Sequence, residues 1–331
     1  MKGYVFRKNY IRVVSREAES GDDSLKRDLL GILDIKDELR EIIDLAIIMK
    51  GESREGMENI AFKGRTLAMI FEKPSLRTRV SFEVGFTQMG GNAVYLSPNE
   101  IQIGKRESVH DVAKVLSRFA DMIMYRAFDH ENVVELARYS DVPVINGLDD
   151  VEHPCQAVAD FMTMTEVKGD LRGKTLAWVG DGNNVLHSLM LGAAILGMNL
   201  RAAVPEGYDP KSGITEEAKR IAGENGSGID VMRDPREAVK DADIIYSDTW
   251  VSMGDEAEKE KRLRDFSGFQ VNRELMSLAQ PNAVFMHCLP AHRGEEVTDE
   301  VMDSPSSVVF QEAENRMHAQ KAIMIRLAGL R

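Results

Sequence analysis

Cysteine is almost missing from this chain: its 331 residues include only Cys155 and Cys288. Two thiols are too few for a disulfide scaffold, and their scarcity suggests a reducing compartment, here the cytoplasm. Also absent is any apolar run near the ~18 residues that a membrane span requires, so no membrane partner is expected. Basic residues are in deficit, with 42 Lys and Arg against 54 Asp and Glu and a formal net charge of −12. That balance argues against a broad nucleic-acid surface, so an anionic ligand has to be held by a local cluster of arginines. No internal repeat or low-complexity segment is visible. What remains is an ordinary globular composition, 43% hydrophobic and 29% charged. The length allows one large domain or two of about 150 residues each.

Strand-like and helix-like runs alternate almost throughout, the pattern of an α/β architecture with parallel sheets. Strands are expected near 66–71, 93–96, 121–125 and 142–145, then near 175–179, 201–204, 229–232, 243–247, 283–287 and 307–310. Helices are expected near 37–50, 76–89, 108–119, 131–139, 184–197, 214–224 and 235–241. After Asp149-Asp150-Val151-Glu152 a new helix opens at His153-Pro154, with Cys155, Val158, Ala159 and Met162 on one face. The domain boundary is placed there, giving 1–150 and 151–314. A final amphipathic helix over 315–331 is expected to pack back on the first domain. The charged run from Asp255 to Arg262 reads as a solvated loop or helix face. The first sixteen residues hold Lys2, Arg7, Lys8, Arg12 and Arg16 without an acid. This stretch is short and poor in Ser for a transit peptide, and reads as a surface arm or oligomer contact.

The residues from Phe71 to Glu83 say most about what is bound. The apolar run Thr66-Leu67-Ala68-Met69-Ile70-Phe71 reads as a buried strand that stops at Pro74, and an amphipathic pattern opens after Ser75. Ser75 suits an N-cap, which would turn the following N–H groups outward at the positive end of the helix dipole. Arg77 and Arg79, with Ser75 and Thr78, crowd that end. Such a helix start suits phosphate, whose oxygens an arginine fork can take two at a time. The plainer alternative is a capped helix with solvated arginines.

Other unusual polar residues sit where the expected strands end, which is where open parallel sheets bind ligands. Arg126 closes one strand, Gly180-Asp181-Gly182-Asn183-Asn184 follows another, and Asp248 and His287-Cys288-Leu289-Pro290 follow two more. Each has a duller reading. The glycine turn does not match G-x-G-x-x-G, and a strand-to-helix turn uses glycine anyway. Cys288 could be a nucleophile or a small buried residue. His153 could cap a helix that has Pro at its first position. His153, Cys155, His287 and Cys288 lack zinc-ligand spacing, so no metal is expected.

Together these segments resemble the aspartate/ornithine carbamoyltransferase family, and within it the ornithine branch. Ser75-Leu76-Arg77-Thr78-Arg79 is similar to the family's first carbamoyl phosphate motif, and His153-Pro154-Cys155-Gln156 to its second. Asp248 with Ser252-Met253-Gly254 resembles the ornithine loop, and His287-Cys288-Leu289-Pro290 the ornithine-branch signature. The resemblance runs from about residue 30 to the end, with four motifs in order. One departure is Leu76, where the motif has Thr; a hydroxyl is lost and the backbone N–H is kept.

The resemblance implies carbamoyl transfer from carbamoyl phosphate to the δ-amine of L-ornithine, giving citrulline and phosphate, in arginine biosynthesis or arginine catabolism. It implies no cofactor, no covalent intermediate, and a homotrimer or a multiple of trimers. The first domain would take carbamoyl phosphate and the second ornithine. Ser75, Leu76 through its backbone, Arg77 and Thr78 would hold the phosphate, with Arg126, Arg316 and Gln102, the last reaching a neighbouring subunit's site. Thr78, Arg126 and His153 would polarise the carbonyl, and Gln156 would bind the carbamoyl amide. Asn184, Asp248, Ser252 and Met253 would hold ornithine, with Cys288 and Leu289 between the two ligands. Alternatives are a carbamoyltransferase for acylated ornithine or putrescine, a nucleotide-dependent dehydrogenase, and a non-catalytic binding subunit.

Overall fold

The computed structural model describes residues 26–101, 103, 106–252 and 256–330. In chain order the first half holds α1 (Leu39–Arg54), β1 (Thr66–Phe71), α2 (Leu76–Gln88), β2 (Asn92–Leu96), α3 (Pro98–Ile101), α4 (Val109–Leu116), β3 (Met122–Arg126), α5 (His130–Tyr139) and β4 (Val144–Leu148). The second half holds α6 (Pro154–Lys168), β5 (Thr175–Val179), α7 (Asn184–Leu196), β6 (Asn199–Ala203), α8 (Ser212–Asn225), β7 (Ile229–Met232), α9 (Pro235–Val239), β8 (Ile244–Ser247), α10 (Lys259–Asp265), α11 (Arg273–Met276), β9 (Val284–Met286), α12 (Asp299–Met302) and α13 (Val309–Leu327).

Two separate parallel sheets result, ordered β2-β1-β3-β4 and β7-β6-β5-β8-β9. Their inner strands are apolar on both faces because helices cover both, as a parallel sheet requires. Met122 to Arg126 of β3 and Ile244 to Ser247 of β8 are buried along their whole lengths. In each sheet the strand order reverses once, between β1 and β3 and between β5 and β8. Loops on either side of such a reversal diverge and leave a crevice at the carboxyl ends of the strands. The long helix α13 packs against α6, α1 and α2, so the chain's end returns to the first sheet's helices. One apolar core links the layers, drawing on Phe82 and Phe86 of α2, Phe161 of α6, Trp178 of β5 and Ile323 of α13.

Local chemistry explains the elements next to the crevice. Ser75 caps α2 with an extended backbone, its side chain accepting the Thr78 N–H at 3.3 Å. Asn183 caps α7, accepting from Val185 and Leu186. β3 and β4 slip register after Tyr125, where Arg126 pairs with Leu148 and Gly147 is skipped. A Cβ at Gly147 would run into the Met124 sulfur, so glycine permits the bulge that turns Arg126 and Leu148 toward the crevice.

Two expectations fail. The strand expected at 307–310 is a single bridge, Ser307 to Phe285, followed at once by α13. Val308 and Val309 are β-branched, but Phe285 offers only one N–H and one carbonyl, which Ser306 and Val308 take. Val309 is instead buried as the first residue of α13, which therefore starts six residues before the expected Asn315. Nor is the charged run wholly solvated. Arg262 of α10 is largely buried and donates to Asp181 Oδ2 at 2.7 Å and to the Trp250 carbonyl at 3.0 Å.

Candidate active site

The carboxyl ends of both sheets face one cleft of ≈ 530 Å³. On the first sheet's side it is strongly basic. Lys73 and Ser75 follow β1, Arg77 stands in the first turn of α2, Arg126 ends β3 and Arg316 comes from α13. Thr78 Oγ1 fixes two of these guanidinium groups, accepting from Arg316 Nη2 at 2.8 Å and from Arg126 Nη1 at 3.4 Å. Among the described residues none of Lys73, Arg77, Arg126 and Arg316 meets a carboxylate, and the Nε of each arginine is buried without a partner. Burial and mutual repulsion act on these groups together. Arg126 is pushed down to about 9 by burial first, then by Arg316 and Arg77. Lys73, Arg77 and Arg316 are lowered too, burial leading in each case. Several buried cations without counter-charge are costly unless an anion joins them.

His153 lies at the floor of this half, at the N-cap of α6. Burial, then Arg316 and Arg126, hold its imidazole well below the usual histidine range, so it is neutral. Its Nδ1 is buried with no partner. One turn along α6, the fully buried Gln156 spends its amide Nε2 on Asp160 Oδ1 at 2.8 Å and Glu312 Oε1 at 3.2 Å, leaving Oε1 unpartnered. Tyr246 of β8 donates its hydroxyl toward the same two acids, at 3.2 and 3.0 Å. Burial raises both carboxyls, Asp160 to about 7 and Glu312 well above the usual range; the Asp160 charge pushes Glu312 further up, whereas the hydrogen bond from Glu312 holds Asp160 down.

The second sheet's side is built around Asp248, just past β8. Its Oδ2 accepts from Asn183 Nδ2 at 2.8 Å, and its Oδ1 accepts from the Cys288 thiol at 3.0 Å and the Thr249 N–H at 2.7 Å. The thiol is raised well above the ordinary range by burial, then by Asp248. Cys288 is therefore a protonated donor and not a thiolate. Leu289 adopts a left-handed φ of 59°, supported by His287 Nδ1, which accepts the Leu289 N–H at 2.9 Å. His287 Nε2 lies 3.2 Å from Glu296 Oε1. Asp248, His287 and Cys288 stand close enough to share a cation, but His287 Nδ1 accepts the Leu289 N–H and Nε2 faces Glu296, so neither ring nitrogen is left for a metal.

Of the residues singled out from sequence, Ser75, Leu76, Arg77, Arg126, His153, Gln156, Asn184, Asp248, Ser252, Cys288, Leu289 and Arg316 line this one cleft, and Thr78 braces it. Gln102 and Met253 lie outside the described residues, as does the basic arm. Asn184 gives an amide hydrogen to the Asp149 carbonyl at the chain's crossing between the sheets. Cys155 is fully buried with its thiol toward the Asn146 carbonyl at 3.5 Å, away from the chemistry. Sequence reasoning missed Lys73, Asn183, Thr249, Lys259, His292 and Glu295. A cation just ahead of a helix start was the available signal for Lys73. For Asn183 it was an Asn at the cap position of α7. Nothing local marks Lys259, His292 or Glu295. The glycine turn after β5 is explained by packing, because a Cβ at Gly182 would meet the backbone of Tyr208, Asp209 and Pro210. No dinucleotide is needed to account for it.

Comparison with known proteins bears on the same two halves. Residues 27–166 match the aspartate/ornithine carbamoyltransferase carbamoyl-P binding domain, and residues 172–327 match the Asp/Orn binding domain. A catabolic ornithine carbamoyltransferase of Thermoplasma volcanium is 53% identical over 302 residues, covering 91% of this chain and 98% of that one. The ornithine carbamoyltransferase of Thermococcus kodakarensis is 53% identical over 304 residues, 92% of this chain and 96% of that one. Among solved structures, ornithine carbamoyltransferase from Pyrococcus furiosus superposes with a TM-score of 0.88 at 51% identity, over 91% of this chain and 96% of that chain. The anabolic enzyme from Campylobacter jejuni gives 0.87 at 39% identity, over 92% of this chain and 100% of that chain. With both domain models matched in order along nearly the whole chain, the protein belongs to the aspartate/ornithine carbamoyltransferase family.

Proposed function

We propose that this enzyme transfers the carbamoyl group of carbamoyl phosphate to the δ-amine of L-ornithine, giving L-citrulline and phosphate, and works in arginine biosynthesis or catabolism. The observation that carries the reading is a cluster of uncompensated cations facing a single buried aspartate across one cleft. The cations suit a dianionic phosphate. The aspartate suits an α-ammonium, whereas an aspartate acceptor would require a cation at that place.

The chemistry follows from what each half offers. Ser75, the Leu76 N–H, Arg77, Thr78, Arg126 and Arg316 hold the phosphate, and Lys73 adds charge. Neutral His153 keeps a ring N–H to give to the carbonyl oxygen, which gains charge as the amine attacks; Arg126 and Thr78 share that work. Gln156 Oε1 accepts from the carbamoyl NH₂. Asp248, Asn184, Ser252 and Met253 hold the ornithine head group, with Cys288 and Leu289 between the substrates. The neutral δ-amine forms the C–N bond, the C–O bond to phosphate breaks, and the amine's proton leaves with the phosphate. Positioning two substrates this way accounts for the rate without a covalent intermediate.

On this reading residues 1–150 with α13, which begins at Val309 and not at the expected Asn315, form the carbamoyl phosphate domain and the residues from 151 to the start of α13 the ornithine domain, in a cytoplasmic protein. The active unit is a homotrimer or a multiple of one, with Gln102 reaching a neighbour's phosphate. Support comes from an apolar stripe on α2 beside the phosphate end, where Leu76, Val80 and Val84 are 75%, 47% and 39% exposed. Light scattering and activity of mixed Gln102→Ala and Arg77→Ala subunits check this; a monomer, or hybrids dead at every ratio, would refute it. The reaction itself is tested by assaying carbamoyl transfer from carbamoyl phosphate to ornithine, N-acetylornithine, N-succinylornithine and putrescine. Ornithine is expected to be preferred by at least a hundredfold in kcat/KM, and a better turnover with any other acceptor would overturn the assignment.

A further inference from the structure

We infer that Asp160 and Glu312 are positioning residues: as a buried acid pair they lock the Gln156 amide in one orientation, which makes the site prefer a carbamoyl over an acyl phosphate. This rests on the proposed function. Gln156 is fully buried, and its Nε2 faces Asp160 Oδ1 at 2.8 Å and Glu312 Oε1 at 3.2 Å. A flipped amide would give up both of these Nε2 contacts, so the pair favours the orientation that leaves Oε1 without a partner, in a residue that lines the cleft. An acceptor so placed suits the NH₂ of a carbamoyl group. The methyl of acetyl phosphate would leave it buried and unsatisfied, and a site built to accept an N–H rejects an analogue without one.

The pair is itself held from three directions. Asp160 and Gln156 share α6, Glu312 comes from α13, and Tyr246 of β8 sets its single hydroxyl within hydrogen-bond reach of both acids, at 3.2 and 3.0 Å. Glu312 Oε2 accepts the His287 N–H at 3.0 Å, so the same acid anchors the start of the segment carrying Cys288 and Leu289. The orientation of Gln156 is thereby tied to both halves of the cleft.

The test compares KM for carbamoyl phosphate with the inhibition constant of acetyl phosphate and the dissociation constant of inorganic phosphate. The variants are Asp160→Ala, Asp160→Leu to fill the space, and Asp160→Asn, which keeps an acceptor oxygen. Wild type should favour carbamoyl over acetyl phosphate by at least tenfold. Asp160→Ala or Asp160→Leu, whichever folds, should lose most of that preference while binding inorganic phosphate within about twofold of wild type. Asp160→Asn should keep it. A preference that survives in the Ala and Leu variants, or a parallel loss of phosphate binding, overturns the inference. A wild type that transfers carbamoyl but lacks the preference overturns it as well, whereas a wild type without carbamoyl transfer overturns the functional reading beneath it.

Discussion

Replacing Arg316 by Met should make the ligand-free protein more stable while destroying its response to phosphate. Arg316 is 3% exposed, and its contact with Thr78 is balanced by an Nε that is buried without a partner. It also presses on its neighbours: Arg126 falls to about 9 through burial, then Arg316, then Arg77. Keeping such an arginine charged costs roughly 4–5 kcal/mol relative to a solvated one, burial contributing most and Arg316 next. Met has similar length and no charge, so its own desolvation cost vanishes too. Against this stands one lost hydrogen bond to Thr78, about 1 kcal/mol. The net expectation is a gain of roughly 1–3 kcal/mol without ligand, as replacing buried charge by apolar groups can give. Phosphate at a hundred times its dissociation constant should stabilise wild type by about 2.7 kcal/mol and the variant by far less. Urea unfolding followed by tryptophan fluorescence, at one protein concentration with and without phosphate, reads both effects. A variant several kcal/mol less stable than wild type yet still stabilised normally by phosphate would refute the idea of a strained cation cluster awaiting an anion.

Cys288→Ser should keep measurable turnover and lose mainly ornithine affinity, because a hydroxyl can still donate to Asp248; mass spectrometry that traps a carbamoylated Cys288 would contradict this. Gly182→Ala should cost several kcal/mol in thermal or urea unfolding, since its Cβ would meet the Tyr208 carbonyl and Pro210 nitrogen, which are backbone and cannot swing away. A melting temperature within two degrees of wild type would show that the turn has slack. Glu152, pushed up to about 7 chiefly by burial, binds a proton when folded that the unfolded chain has released. Its contribution is therefore present below the ordinary carboxyl range and is lost as pH rises from about 4.5 through 7. Glu152→Gln should flatten the stability-against-pH curve across that window, and an unchanged slope would dismiss the titration.

Local pattern carried much of the architecture. Apolar runs located each strand of both sheets, and the strand ends located most of the cleft, because ligand loops in parallel sheets gather there. Ser75 was readable as a cap from its place between Pro74 and the helix pattern, and the structure has it accepting from Thr78. Failures occur where a distant partner decides. Val308 and Val309 look like a strand, yet the available edge at Phe285 is one residue long. Arg262 looks solvated within its charged run until Asp181, far away in sequence, is brought beside it. Gly147 hid the end of β4, since glycine argues against a strand unless the crowding of Met124 is known. The Asp160–Glu312 pair was invisible for the same reason: an acid on α6 and one on α13 look like helix-surface charges until the fold buries them together. Arg316 was identified only through the family resemblance; by itself it is one arginine on an amphipathic helix.

The two sides of the cleft divide the labour, with phosphate held from the first sheet's side and the amino acid's α-ammonium from Asp248. The most direct test is a paired kinetic measurement on Arg77→Ala and Asp248→Asn, with each Michaelis constant taken at saturating co-substrate. Losing one charge-assisted contact should cost at least ~1.5–3 kcal/mol, or roughly ten- to a hundredfold. Arg77→Ala should raise KM for carbamoyl phosphate by that factor and leave KM for ornithine within about threefold, with Asp248→Asn doing the reverse. Ornithine binding unaffected by Asp248→Asn, or carbamoyl phosphate binding unaffected by Arg77→Ala, would contradict it.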